Sequence, residues 1–394
     1  MKSKWTFKNL GDVCHVIGGG TPSKDRPDFY GGDIPWATIR DMRQDLITVT
    51  EHRITQDALK NSASNVIPEG NVVIATRVGL GKVSMVAQGT AINQDLRGIV
   101  PMDRRSMDPR FLFWWAKNVS PLIVKAGTGA TVQGVKVPFV KSLKIPIIPI
   151  SVQRHIVSIL DEAFDGIATA KANAEKNLQN ASAVFETQLQ GIFAEQGNGW
   201  KQKTLEQIAT NFGRGKSRNR PRNAPHLYGG KYPFIQTGDI RNADHIITEY
   251  SQTYSEAGLA QSKLWPKGTI CITIAANIAE TAILGFDACF PDSVIGVVAN
   301  PKEAEVDFVE YLLQAFKVRL QAMGKGSAQD NINMGTFESQ RFPFPPVAEQ
   351  REIVKRLNFL REETQNLESI YQRKLAALDE LKQSLLHQAF SGAL

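Results

Sequence analysis

Between residues 151 and 185 apolar side chains recur at spacings of four and three: Ile156, Leu160, Ala163, Ile167, Ala170 and Ala174, then, after a stutter, Leu178, Ala181 and Phe185. A heptad period of this kind predicts one long amphipathic helix. A second seam follows near the end of the chain: Ile353, Leu357, Leu360, Thr364, Leu367 and Tyr371, then Leu375, Leu378, Leu381 and Leu385. Neither stretch holds a proline, Gly166 and Gly191 interrupt the first, and Ser151 behind Pro149 can cap it. About 40 helical residues would span roughly 60 Å. Alone, such a helix exposes its stripe, and packing the two helices together is the simplest way to bury both. A dimerisation coil or a spacer fits the same periodicity. Residues 1–150 and 197–347 read differently, with short β-branched runs punctuated by Gly and Pro. The expected fold is therefore α+β: two similar globular domains with mixed β-sheets, 1–150 and 197–347, joined by two long antiparallel coiled-coil-like helices, 151–196 and 348–394.

The two domains are similar because the chain repeats itself. Trp5 and Leu10 recur as Trp200 and Leu205, about 195 residues later. Gly18 and Gly20 recur as Gly213 and Gly215, and YGGDIPW (30–36) recurs as YGGKYPF (228–234). Asp41, Pro68 and Gly70 match Asp239, Pro266 and Gly268. Each half then has a Gly-x-Gly loop (127–129, 324–326), a Pro-rich exit (KIPIIPI, RFPFPPV) and a Gln-Arg pair, Gln153-Arg154 and Gln350-Arg351. So many ordered matches identify a duplicated unit of about 200 residues.

Composition narrows the partners. The 394 residues are 42% hydrophobic and 22% charged, with a formal net charge of +7, which favours an acidic partner such as nucleic acid. The three cysteines, Cys14, Cys271 and Cys289, contain no CxxC pair, as expected of a reducing cytoplasm rather than a disulfide framework. No apolar run approaches the roughly 18 residues of a membrane span, and the start, MKSKWTFKNLGDV, lacks the apolar core of a signal peptide.

The common catalytic constellations are not found. Gly215-Lys216-Ser217 ends like a phosphate-binding loop, but Thr210 stands where its first glycine belongs and Arg218-Asn219-Arg220-Pro221 follows where a helix should begin. There is no HExxH, no Cys/His cluster of zinc spacing and no Asn/Asp-Pro-Pro-Tyr/Phe motif. Pro27-Asp28 and Pro291-Asp292 lack the Glu-x-Lys of a metal-dependent nuclease. His15, His52 and His155 have no evident catalytic partner, and Trp36, Trp114 and Trp115 read as core.

What remains is binding chemistry. Arg214, Lys216, Arg218, Arg220 and Arg222 alternate with neutral residues, and in an extended segment that spacing puts all five on one side, facing phosphates or merely solvent. The matching loop of the first half is richer in glycine, which permits close backbone approach to a ligand; Gly20, Thr21, Ser23, Lys24 and Arg26 are its candidates. The Gly-x-Gly loops carry Thr128, Thr131 and Gln133 in one copy and Lys325, Ser327, Gln329, Asn331 and Asn333 in the other, residues able to read bases or simply to build turns. Ser217, Arg40, Arg77, Lys82 and Asn277 complete the candidate DNA contacts. Ile156, Leu160, Ile167, Leu178, Phe185, Ile353, Leu357, Leu367, Leu378 and Leu385 are the candidate partner-binding positions on the helices. A scaffold whose globular ends bind protein, or a standalone nuclease, are the competing readings.

The order Gly-x-Thr-Pro-Ser (19–23), Tyr-Gly-Gly-x-Ile-Pro-Trp (30–36), Gly-x-Gly (127–129) and Gln-Arg-x-Ile-Val (153–157) resembles the type I restriction-modification specificity subunit, as does the ending LLHQAFSGAL. The second copy keeps Tyr228-Gly229-Gly230, Gly324 to Gly326 and Gln350 to Val354, but has Lys216-Ser217-Arg218 in place of Thr-Pro-Ser. The resemblance spans essentially the whole chain. It implies two target-recognition domains, each reading half of a split site in double-stranded DNA, and helices that space them and dock modification (methyltransferase) subunits. It also implies that the chain is not itself an enzyme, holds no metal and no cofactor, and works in the cytoplasm. S-adenosylmethionine, ATP and Mg are then expected on the modification and restriction subunits, and no membrane is involved.

Overall fold

The computed structural model describes residues 5–127, 134–218, 221, 224–275, 278–324 and 334–393. Four helices organise it: α1 (Pro109–Lys125), α2 (Ile150–Ala194), α3 (Val306–Ala315) and α4 (Val347–Ser391). The chain divides into two compact units, Met1–Glu175 with Arg373–Leu394, and Lys176–Gln372. This division cuts across the sequence-ordered one of 1–150, 151–196, 197–347 and 348–394. Each unit takes one sheet domain and a stretch of both long helices, because the helix seams are buried against the sheet domains.

In the first unit a five-stranded sheet runs in the order Cys14–Gly18, Leu96–Pro101, Val72–Ala75, Val83–Val86, Leu46–Ile47. Its neighbours are antiparallel except the short edge strand, which is parallel to Val83–Val86. A four-stranded sheet, His52–Ile54, Tyr30–Ala37, Thr90–Ile92, Asn65–Ile67, is also mixed, with its two central strands parallel and both edge pairs antiparallel. The strand Val72–Ala75 shows why the run VVIA is apolar throughout. Val72 and Ile74 join the core under α1, whereas Val73 and Ala75 join the core beneath the second sheet. Side chains alternate between faces, and here both faces are covered. A two-stranded ribbon, Thr6–Asn9 with Lys144–Ile147, leads the chain into α2.

The second unit repeats this order strand for strand: Ala209–Arg214, Val294–Ala299, Ile270–Thr273, Thr281–Leu284, Ile246–Ile247 in one sheet, and Gln252–Tyr254, Tyr228–Phe234, Ala288–Cys289, Leu264–Trp265 in the other. Ile270 and Ile272 face the core under α3, and Cys271 faces the opposite one.

The repeated Tyr-Gly-Gly is a device for bending a strand. Tyr30 and Ile34 both stand opposite Ile54, and Tyr228 and Tyr232 both stand opposite Tyr254, so each copy is bulged. Gly31 and Gly229 adopt φ of 79° and 80°, a region costly for other residues. A Cβ on Gly32 or Gly230 would lie 2.5 Å from the carbonyl oxygen of Ile54 or Tyr254.

The helix seams are wider than the sequence expectation. Along α2 the expected positions Ile156, Leu160, Ala163, Ile167, Ala170, Ala174, Leu178, Ala181 and Phe185 are all buried or half-buried, and Phe164 and Lys171 beside them are covered as well. Phe164 and Lys171 widen the seam beside Ala163 and Ala170 and carry an unbroken four-three spacing past Ala174. Along α4 the covered positions from Leu357 to Leu385 are Leu357, Leu360, Arg361, Thr364, Glu368, Tyr371, Leu375, Leu378, Lys382 and Leu385, leaving Leu367 and Leu381 exposed. The helices run antiparallel within each unit. Lys171 Nζ lies 2.7 Å from Asp379 Oδ1 in the first, and in the second Ser182 Oγ donates to Glu368 Oε1 at 2.5 Å.

Candidate nucleic-acid interface

In the first unit the strand Cys14–Gly18 emerges into the loop of residues 19–26. Glycine is required there by the protein's own backbone: a Cβ on Gly19 would lie 2.3 Å from the carbonyl oxygens of Ile92 and Asn93, and one on Gly20 2.6 Å from the backbone of Ala63. The Gly20 carbonyl accepts from Trp36 Nε1 (3.1 Å) and Ser64 Oγ (2.6 Å). This corrects the reading that the glycines admit a ligand. Gly20 is buried, and the close approach is internal. Beyond this anchor Thr21 donates to Gln94 Oε1, and Tyr30 Oη donates to Pro22 O at 2.7 Å. Ser23 and Lys24 are exposed. Arg26 is bidentate to Asp28 (2.8 and 2.6 Å) and lies over the Phe29 ring, so its charge is already matched locally.

Two arginines stand beside this loop. Arg97, paired in register with Gly18, donates from one guanidinium nitrogen to the carbonyls of Gln94 (2.8 Å) and Leu96 (2.6 Å), and its buried Nε has no partner among the described residues. Burial, and then the neighbouring Arg77, push the Arg97 pKa below the ordinary guanidinium value, with Asp95 opposing. Arg77 is exposed and reaches Asp95 at 3.8 Å. Two like charges against one acid form a cationic notch that an anion would relieve. Arg40 instead pairs with Glu51 at 3.5 Å, and Lys82 lines a cleft with Lys117 and Asp379.

The second unit builds the corresponding edge with different cations. A Cβ on Gly215 would lie 2.2 Å from Phe290 O, so this glycine also meets its own chain. Arg214, Lys216 and Arg218 are exposed while Gly215 and Ser217 are buried. Period-two alternation therefore holds over 214–218. Arg214 Nε donates to Asp292 O (2.7 Å), the Arg218 amide donates to Gln261 Oε1 (2.6 Å), and Ser262 Oγ donates to Lys216 O (2.9 Å). Next to it Lys263 bonds Asn211 Oδ1 (3.0 Å) and sits 3.6 Å above the Trp265 ring. Burial and Lys216 push the Lys263 pKa down. Gln94, Arg97, Asn211, Gln261 and Lys263 were not among the sequence candidates; only contacts between residues distant in sequence bring them to the loop. Thr128, Thr131, Gln133, Arg220, Arg222, Asn277, Lys325, Ser327, Gln329, Asn331 and Asn333 lie outside the described residues.

The helix candidates separate into two kinds. Ile156, Leu160, Ile167 and Leu357 are buried in their own unit's core, and Phe185, Ile353, Leu378 and Leu385 pack against it. As a correction, the buried four offer no surface to a partner, because the chain itself covers them. Leu178 is half-buried and Leu367 exposed, and Leu367 shares α4 with the exposed Phe359, Ile370 and Leu381.

A polar cleft of about 350 Å³ in the second unit was also not foreseen. His245 sits in it, buried, with Nδ1 2.7 Å from Glu310 Oε2 and Nε2 2.8 Å from Asp307 Oδ1. Its ring stacks on Tyr311. Burial lowers its pKa, but the bonds to Asp307 and Glu310 outweigh it and raise the value to about 9. Glu310, itself buried, also accepts from Thr281 Oγ1 and Gln314 Nε2. In the first unit Asp45 occupies the equivalent place and pairs with Lys117 at 2.5 Å. The carbonyls of Asp45 and His245 accept from Met85 and Ile283 on matching strands. The same tie between sheet and helix is thus made with opposite signs. The partners of His245 are more than sixty residues away in sequence, which is why no local motif announces it.

Chemically, these edges can hold anions. Burial pushes the Cys14 thiol up to about 12 and raises those of Cys271 and Cys289, so none is an activated nucleophile. Among the described residues no group of His, Cys, Asp and Glu has the arrangement of a metal site, and no helix is long and apolar enough to cross a membrane.

A family model described as Type I restriction modification DNA specificity domain matches residues 2–179 and 197–373. The MjaIX type I restriction enzyme specificity subunit of Methanocaldococcus jannaschii is 25% identical over 280 residues, 66% of this chain and 63% of that protein. The EcoR124I/EcoR124II specificity subunit of Escherichia coli is 30% identical over 169 residues, 42% of each. The matches therefore span less than two thirds of either relative's length. A putative MjaX specificity subunit, also of M. jannaschii, is 21% identical over 417 residues, 99% of this chain and 93% of that one. Among solved structures, a chain from work on complex assembly and conformational transition of the type I R-M system superposes with a TM-score of 0.80 at 20% identity, covering 99% of this chain and 98% of that one. The HsdS subunit from Thermoanaerobacter tengcongensis gives 0.69 at 21% identity, covering 100% and 98%. At these identities the structural likeness is one of fold.

Proposed function

The chain belongs to the type I restriction-modification specificity-subunit family, and from that footing we propose that it is the DNA-reading subunit of such a complex. Each sheet domain reads one half of a split site in double-stranded DNA. The observation that carries this is the pair of equivalent loop edges, each ending a five-stranded sheet and each presenting cations: Arg77 and Arg97 in one unit, and Arg214, Lys216 and Arg218 in the other. Cations that neutralise phosphates give affinity, and the neighbouring loops supply the groups that contact bases.

The chain catalyses nothing itself in this reading. Modification subunits bring S-adenosylmethionine and methylate the DNA, restriction subunits bring ATP and Mg, and the complex works in the cytoplasm. The exposed apolar residues Phe359, Leu367, Ile370 and Leu381 of α4 support docking of a partner subunit there. The test is methylation mapping of random DNA by the chain co-purified with its modification subunits. One bipartite methylated sequence is the expected result. Methylation without sequence preference, or at a single undivided site, would overturn the reading.

A further inference from the structure

The Gln-Arg pair that opens both long helices has a structural counterpart of unusual regularity. Gln153 Oε1 accepts from the Asp108 amide (2.9 Å), and its Nε2 donates to Ser106 O (2.8 Å) and Ile148 O (2.9 Å). Gln350 Oε1 accepts from the Glu305 amide (2.9 Å), and its Nε2 donates to Glu303 O (3.2 Å) and Pro345 O (2.9 Å). Both glutamines are 0% exposed. Every partner is a backbone group, and each corresponds to its counterpart in the other unit.

The three points so joined lie at one pivot. Ile148 and Pro345 belong to the exit from the two-stranded ribbon, only a few residues before α2 and α4 begin. Asp108 and Glu305 are the N-cap residues of α1 and α3, the helices that cover the five-stranded sheets. A ribbon running into a helix through so short a connection could swivel, and one side chain bonded to the exit, the turn and the cap removes that freedom. Arg154 and Arg351 reach the same caps, Asp108 at 3.6 Å and Glu305 at 2.5 Å. They are largely exposed, so they add little. The buried amide is the lock, since its loss strands one backbone N–H and two carbonyls away from water.

We propose that Gln153 and Gln350 are positioning residues, each holding its recognition domain at one angle on the long helix and thereby fixing where that domain's half-site must fall along the DNA. This rests on the DNA-reading function proposed above. The full chain with its modification subunits is tested on a DNA library in which the half-sites are constant and the spacer between them varies. Gln153→Ala and Gln350→Ala are each expected to raise methylation of sites one base pair too long or too short by roughly tenfold relative to the preferred spacer, equivalent to about 1.4 kcal/mol of lost discrimination. The half-site bases should stay the same. Gln153→Glu and Gln350→Glu keep the volume and the acceptor but lose both donors; they should behave alike, and the result is read on them if the alanine variants unfold. Hydrogen exchange at the Asp108 and Glu305 amides should quicken in the folded variants. A spacer profile as narrow as that of the unchanged chain, even with a lower overall rate, would overturn the proposal. An unchanged chain that methylates no bipartite site would instead overturn the underlying function.

Discussion

Arg97 shows what a single residue contributes at the candidate interface. Its guanidinium is held by two carbonyls at the base of the glycine loop, beside Arg77, which pairs with Asp95. Folding therefore keeps two cations together at some cost, and a phosphate between them removes it. Arg97→Ala should weaken binding to specific and random duplexes alike and flatten the log K versus log salt slope by roughly one unit. A filter-binding salt series checks this, and an unchanged slope would take the notch off the DNA surface. His245 makes a different prediction. Its folded pKa, about 9, lies above the ordinary 6.5, so its contribution to stability is complete below about pH 6.5 and disappears as the pH rises through about 9. Thermal unfolding followed from pH 6 to pH 10 should show the second unit weakening over that window. His245→Gln should remove the dependence, and an identical pH profile in the variant would show that the histidine does not carry it.

At the scale of elements, the long helices divide into a face the chain uses itself and a face it leaves open. Leu357 lies wholly within the second unit's core, whereas Phe359, two residues on, is 66% exposed. Leu357→Ala should cost about 2–5 kcal/mol of stability. Phe359→Ala should cost little stability but weaken capture of the modification subunit; thermal unfolding and co-purification separate the two effects. The sequence announced these helices and their ends to within a few residues, because heptad periodicity survives any tertiary context. It read the seam too narrowly, and placed the exposed Leu367 and Leu381 on it, because apolar residues were counted and polar ones were not. Lys171, Glu368 and Lys382 sit on the seam, where their stems pack and their heads find partners or water. The Tyr-Gly-Gly repeat was legible as a repeat but not as a bulge, since the bulge exists only opposite Ile54 and Tyr254. The loop edges were found through their glycines and charges. Gln94, Arg97 and Lys263 were not, since strand register and contacts between residues distant in sequence deliver them there.

For the molecule as a whole, the two compact units make the exchange of one recognition domain a sharper experiment than the sequence boundaries suggest. The first unit closes its core with residues from three separate stretches: the sheets and α1, the start of α2, and the end of α4, where Phe390 packs 5.2 Å from Phe111. Asp161 of α2 is the central polar tie, bonded by Trp114 Nε1 at 2.7 Å and by Arg110 through both Nε and a terminal nitrogen. A graft of residues 1–149 from a relative brings new residues opposite Asp161, Phe164 and Phe390. A graft that also carries residues 150–175 and 373–394 brings its own partners. Both chimaeras should change one half of the methylated site and leave the other half as it was. They should differ in stability: where the donor lacks the arginine and tryptophan that meet Asp161, the short graft leaves a half-buried carboxylate without its partners and melts at a lower temperature than the long one. Methylation mapping and thermal unfolding of the two chimaeras provide the check. If both half-sites change in the long graft, the domains do not read independently. If the short graft is as stable as the long one despite losing the Asp161 contacts, the helices are not part of the recognition unit, and residues 1–149 fold and read alone.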